Sequence, residues 1–256
     1  MFKPLFIRSI EWADSDVEDM SGGESKSIDR AISFYGFVNQ LSESHRSLFV
    51  QYFKYLLDGI VSHLTSIEAS VSSRKKKKVK IQEAGDNIPP KSWHLRALVL
   101  SSLKNCFLYH TGSVKFLDSN NFQVLLKPIA SQIVVEPPAS LDNYAYVPSV
   151  LEVDELVVSC IGQMAVAVGS DLLWKPLNHE VLMQTRSEKL RARILGLRSV
   201  KQLLDNLKEE YRVFFVETIS FLGELLEDVE PSVKSLAQDI LKQMEEMSGE
   251  CLRQYL

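Results

Sequence analysis

Apolar residues recur at three- and four-residue intervals through most of this chain, as in Leu48, Tyr52, Tyr55, Leu56, Gly59 and Ile60, while strand-like alternation is sparse. That spacing gives each segment one apolar stripe and offers little to a sheet, which confines the chain to an all-α architecture. It predicts helices over residues 3–13, 26–41, 44–70, 91–111, 119–135, 151–169, 177–185, 187–206, 209–227 and 231–248. The breaks carry helix-stopping chemistry: Ser21-Gly22-Gly23 follows an acidic run, Pro89-Pro90 ends a polar stretch and Pro137-Pro138 closes another helix. Successive helices joined by short links pack as antiparallel hairpins.

A helical array escapes the size limit of a single globular core, because each repeat packs only on its neighbours. The 256 residues are therefore read as one HEAT-like helical domain over 1–256, an α-solenoid of stacked antiparallel helical hairpins. Two mobile loops are expected within it: acidic, Ser-rich residues 14–25, and a basic internal linker over 71–90 that opens on Ser72-Ser73. The repeat signal lies toward the end. Ser187-Glu188-Lys189-Leu190-Arg191 and Glu230-Pro231-Ser232-Val233-Lys234 each precede an amphipathic segment, and Leu190 and Val233 stand 43 positions apart. HEAT and armadillo repeats recur at about 40 to 47 residues. In the second repeat Leu225, Leu226, Val233, Ala237 and Leu241 are expected to be buried. Asp228 is expected to cap free amides in the turn, and small Ala237 to permit close approach.

Charge, cysteine and histidine usage narrow the functions. The formal net charge of -4 is uneven: Arg74 to Lys115 holds ten Lys/Arg against two acids, a local +8 that leaves -12 elsewhere. From Glu217 to Glu250 nine carboxylates face only Lys234 and Lys242, which opposes a nonspecific nucleic-acid grip there. Cys106, Cys160 and Cys251 are odd in number and far apart, suggesting neither a disulfide framework nor a zinc site. His45, His63, His94, His110 and His179 form no paired metal motif; His94 and His110, sixteen residues apart, exceed the i, i+4 spacing of a helix-borne zinc pair. With no Gly-rich phosphate cradle and no Ser nucleophile elbow, the chain reads as noncatalytic and without a cofactor. Arg8 interrupts the apolar opening, against a secretory signal. The uncharged stretch Leu156 to Ser170 is shorter than the roughly 20 residues of a spanning helix, so no membrane partner is expected.

Several longer strings go beyond generic helix chemistry. Near the start are Phe2-Lys3-Pro4-Leu5-Phe6, Trp12-Ala13, Asp29-Arg30 and Phe34-Tyr35. Trp174-Lys175-Pro176-Leu177-Asn178 follows in the second half, with Leu182, Arg186, Phe221-Leu222, Glu224-Leu225 and Glu227-Asp228, and the chain stops on Ser248-Gly249-Glu250-Cys251-Leu252-Arg253-Gln254-Tyr255-Leu256. Together these resemble the C-terminal domain of the large HEAT-repeat U3 small-nucleolar-RNA-associated proteins of the small-subunit processome. Val216 and Ser220 stand where that family's pattern has prolines. The resemblance covers nearly the whole chain and implies that domain, as a fragment or as a short paralogue without the preceding array. It also implies a scaffold in small-ribosomal-subunit biogenesis, located in the nucleus and nucleolus. The partners it implies are processome protein subunits and the U3 small nucleolar ribonucleoprotein with pre-ribosomal RNA, directly or through other proteins.

Two groups of residues are singled out as contact sites. Arg74, Lys75, Lys76, Lys77, Lys78 and Lys80 suit the acidic pockets of an import receptor, or a polyanion. Base-stacking aromatics are missing from the run, which favours nuclear localisation over RNA contact. Trp174, Lys175, Asn178 and Arg186 form a candidate partner surface, since Trp is enriched at interface hot spots. The favoured reading instead packs Trp174 between helices, with Pro176 and Asn178 shaping the helix entry. Asp14, Asp16, Glu18 and Asp19 read as a solvated loop beside Ser15. The alternative function is a HEAT-class adaptor in transport or signalling, with the basic run serving trafficking only.

Overall fold

The computed structural model describes residues 2–14, 23–65 (side chains from Ser27), 87–110, 115–142, 144 and 146–256. No strand occurs among the described residues. Where one domain over 1–256 was expected, contacts gather the chain into two compact units, Met1–Asn121 with Val135–Leu156, and Phe122–Val134 with Val157–Leu256.

The first unit holds α1 (Phe2–Asp14), α2 (Gly23–His45), α3 (Ser47–Val50), α4 (57–65) and α5 (Pro90–Leu108). Asp14 and Gly23 to Ser25 of the expected 14–25 loop are helical, and residues 15–22 lie outside the described residues. The predicted helix over 44–70 is broken early. Arg46 takes φ 47°, a conformation that ends α2, and the chain resumes as α3, a 3-10 turn over Phe53–Tyr55, and α4. The turn aims aromatic rings inward: Phe6 of α1 lies 5.4 Å from Phe49, 5.6 Å from Tyr52 and 6.1 Å from Phe34 of α2, ring centre to ring centre. Such tilted and edge-on pairs add to the apolar burial itself. Asn39 joins α2 to α5, its Nδ2 donating to the carbonyls of Tyr35 (3.1 Å) and Leu98 (2.9 Å). A second core collects Ile88, Trp93, Ala97, Val135 and Val153. The end of the expected 71–90 linker is therefore folded in, with Ile88 buried and Pro90 opening α5.

The second unit takes most of α6 (Ser119–Ala130), a 3-10 turn over Ser131–Val134, the later part of α7 (Val150–Val168), α8 (Asp171–Gln184) and α9 (Leu190–Leu207). A 3-10 segment Lys208–Phe214 leads to α10 (Phe215–Leu226), then come α11 (Pro231–Ser248) and a final 3-10 turn Leu252–Tyr255. α8 begins six residues before its predicted start, so Pro176 lies inside the helix instead of shaping its entry. α10 runs unbroken through Val216 and Ser220.

Side-chain bonds set the order of these helices. Asn178 and His179 of α8 meet Glu217 at the start of α10, and Arg186, just after α8, meets Glu224 near its end, so the two helices run the same way. Arg193 meets Asp228, Lys201 meets Gln243 and Gln243 meets Asp205, which sets α9 parallel to α11. Two hairpins thus stack like on like, the arrangement of HEAT repeats. Burial sets the register. Ala192 and Val233, Ser199 and Ile240, Val200 and Leu241, and Leu203 and Met244 are all buried and stand 41 residues apart, and Gly196 matches Ala237 at the same interval. Leu190 is 38% exposed, so it is Ala192 that corresponds to Val233, and the repeat is 41 residues where 43 was expected. Leu225, Val233, Ala237 and Leu241 are buried as predicted, but Leu226 is only half-buried because the helix ends on it and turns its side chain to the rim.

Candidate functional site

In the second unit Asn178 of the Trp174 string lies in the seam between the two hairpins, while Trp174 bonds to α7. Trp174 is 8% exposed and its Nε1 donates to the carbonyl of Ala165 at 2.8 Å. Asn178 is 1% exposed: its Nδ2 donates to Glu217 Oε2 at 3.0 Å and its Oδ1 accepts the Tyr211 hydroxyl at 2.6 Å. Burial pushes the Tyr211 hydroxyl up, well clear of ionisation, so it stays a donor to Asn178 and is 3.0 Å from the Thr218 hydroxyl. A buried amide with both ends bonded positions three chain segments at once, which is a packing role.

This corrects half of the expected partner surface. Trp174 and Asn178 belong to the interior, and Lys175 and Arg186 alone of the four are exposed. Arg186 is already engaged: Nε donates to Glu224 Oε2 at 2.8 Å, Nη2 bonds the other carboxylate oxygen, and the guanidinium lies 4.1 Å from the Phe221 ring centre. That two-pronged bond holds Glu224 below the ordinary carboxylate range.

One layer away, Arg193 Nε lies 2.8 Å from Asp228 Oδ2, with both side chains largely shielded. Nη1 of the same arginine donates to the carbonyls of Ser187 (3.1 Å) and Glu188 (2.9 Å), tying the link before α9 to the link before α11. Asp228 Oδ1 accepts the Glu230 amide at 2.9 Å, which is the capping role expected of it. The sequence reading missed Arg193, Tyr211 and Glu217. An arginine at the seventh position of the predicted 187–206 helix, 35 residues before the turn aspartate Asp228, was the available signal for the first; nothing in local pattern marks the other two.

The basic run Arg74, Lys75, Lys76, Lys77, Lys78 and Lys80 lies outside the described residues. Among the described residues no group of three or more His, Cys, Asp or Glu side chains could hold a metal ion, and no helix is long and apolar enough to cross a membrane.

Parallel stacking of equivalent helices at a fixed 41-residue interval, with an Arg–Asp pair linking successive turns, defines an all-α protein of the HEAT-like α-solenoid class. Residues 1–115 match the BP28CT (NUC211) domain. Along its whole length the chain is 77% identical to an uncharacterized protein of Arabidopsis thaliana, of which it covers 12%. It is 29% identical over 259 residues to human HEAT repeat-containing protein 1, covering 11% of it. The U3 small nucleolar RNA-associated protein 10 of Schizosaccharomyces pombe is 23% identical over 257 residues, and the chain spans 13% of its length. The chain is thus similar in its first 115 residues to the BP28CT domain, and along its whole length to proteins named for HEAT repeats and for association with U3 small nucleolar RNA, of which it spans a small part.

Proposed function

We propose that this chain is a noncatalytic scaffold in nucleolar processing of pre-ribosomal RNA and small-ribosomal-subunit biogenesis, acting as a component of the U3 small nucleolar ribonucleoprotein and processome. The observation that carries this reading is the likeness, over the whole chain, to relatives named for HEAT repeats and for association with U3 small nucleolar RNA. The stacked hairpins support it physically: buried Leu and Val ridges hold the repeat spacing, and the outward faces are left to select partners. Its place is the nucleus and nucleolus, and its partners are processome subunits, with U3 and pre-ribosomal RNA held directly or through them. The Lys75–Lys78 run engages an import receptor.

Native purification of the tagged chain, followed by crosslinking mass spectrometry and sequencing of bound RNA, tests the assignment. U3 RNA and processome proteins are expected, and recovery of transport factors in their place would reject it. Neutralising Lys75 to Lys78 should strand the chain in the cytoplasm, with nucleolar concentration restored by an unrelated import signal. A rescued variant that enters the nucleus without concentrating in the nucleolus would assign the run to RNA anchoring.

A further inference from the structure

The second unit ends in an open groove of about 980 Å³ along α10. Its floor is apolar: Phe215, Val216, Ile219 and Gly223 of α10 face Leu252 of the final turn and Leu256 just after it. Val216 is 85% exposed although it belongs to a helix whose other faces are packed. The repeat register explains the vacancy. Asn178 and His179 are the side chains by which α8 meets α10, and 41 residues later stand Ile219 and Ser220, both lining the groove. The face that α10 turns to the groove is thus the face with which α8 receives α10, and a helix parallel to α10 fits there for the same reason.

Charge says what kind of helix. In the filled seam the cation is Arg186, just after α8, and it meets Glu224. One 41-residue step on from Arg186 is the exposed Glu227, and Glu250 borders the groove together with Arg212 and with Glu224, which is already bonded to Arg186. From Glu217 to Glu250 nine carboxylates outnumber two lysines. The position that supplies a cation in one seam therefore presents a carboxylate, Glu227, in the next.

We propose that this groove is a docking site for an amphipathic helix of another protein, laid parallel to α10, with apolar residues at i, i+3/i+4 and i+7 on one face and Lys or Arg on its flanks. About three turns suffice, since the lining of α10 runs from Phe215 to Glu224. The site stands on the repeat geometry and does not depend on which assembly the chain belongs to.

Fluorescence anisotropy of the full chain with two labelled synthetic helices tests it. Both carry leucine on the i, i+3/i+4, i+7 face; one has lysine on the flanks and the other glutamate. The lysine helix should bind saturably and the glutamate helix ~10-fold or more weaker, with the difference shrinking in high salt. Val216→Lys and Ser220→Arg, both at exposed positions and read alongside unchanged melting curves, should each weaken the lysine helix ~10-fold. Val229→Lys adds the same charge at an exposed position off the groove and should leave binding intact. Equal affinity for the two helices, no saturable binding, or binding indifferent to Val216→Lys would overturn the proposal. So would sedimentation as a dimer that Val216→Lys dissociates, which would give the groove to a second copy of this chain.

Discussion

Lys208 sits at φ 52°, ψ −127°, where a side chain crowds its own backbone and glycine does not. The conformation is imposed by the junction of α9 with the 3-10 segment that leads to α10. Lys208→Gly relieves strain of about 1 to 3 kcal/mol and gives back about 0.5 to 1 in backbone entropy, so it should raise unfolding free energy by about 1 kcal/mol in urea titration. Gly196 is the opposite case. Its backbone is helical, where alanine is ordinarily the better residue, but an added Cβ would lie 2.7 Å from Thr185 Cγ2 and 3.3 Å from the Thr185 amide nitrogen. Gly196→Ala should therefore destabilise, by about 1 to 3 kcal/mol as overpacking costs, and a gain in melting temperature would refute the close approach of α9 to the end of α8.

Between elements, the Arg193–Asp228 pair does what neither helix can do alone. It fastens the turn before α11 to the start of α9, and its arginine also takes two carbonyls of the preceding link. Asp228→Ala leaves a shielded guanidinium without its carboxylate and the Glu230 amide without its acceptor, a loss of about 3 kcal/mol in equilibrium unfolding. A double-mutant cycle with Arg193→Met should return most of that as coupling. The end of α10 gives a sharper contrast. Leu225 is buried and Leu226 reaches the rim, so Leu225→Asp should unfold the terminal hairpin whereas Leu226→Asp should cost less, the order that near-ultraviolet circular dichroism melts can rank.

At the scale of the whole molecule, the first unit carries a pH dependence. His63, His94 and His110 are all held below the ordinary histidine value of 6.5, in each case chiefly by burial, which disfavours the charged ring; Asp14 opposes this at His63 and Lys115 reinforces it at His110. As pH falls through 6.5 the unfolded chain takes up protons that the folded unit resists, so stability drops on acidification. From about pH 7.5 to about pH 5.5, amide exchange in α2 and α5 should slow by less than the fall in intrinsic rate, because opening becomes easier, and His63→Gln should reduce that discrepancy. A discrepancy unchanged by His63→Gln would assign it to carboxylates instead.

Local pattern was enough to determine that this protein is helical, roughly where its helices lie and that a HEAT-like repeat closes the chain, because period and stop signals are written in neighbouring residues. Some residues of the strings that carry the family resemblance are packing residues: Phe6, Phe34 and Tyr35 in the first unit, Trp174, Asn178 and Leu222 in the second. Trp174 is packed, as the reading that sets it between helices has it, and Asn178 is interior where a partner surface was the other reading. A tryptophan or asparagine looks the same in sequence whether solvent or Tyr211 lies opposite. Tertiary structure decided the rest: the break at Arg46, the 41-residue register, the Arg193–Asp228 tie and the open face of α10. Each depends on groups tens of residues apart meeting in space, and the spacing of side chains along one helix contains no record of what the next helix presents.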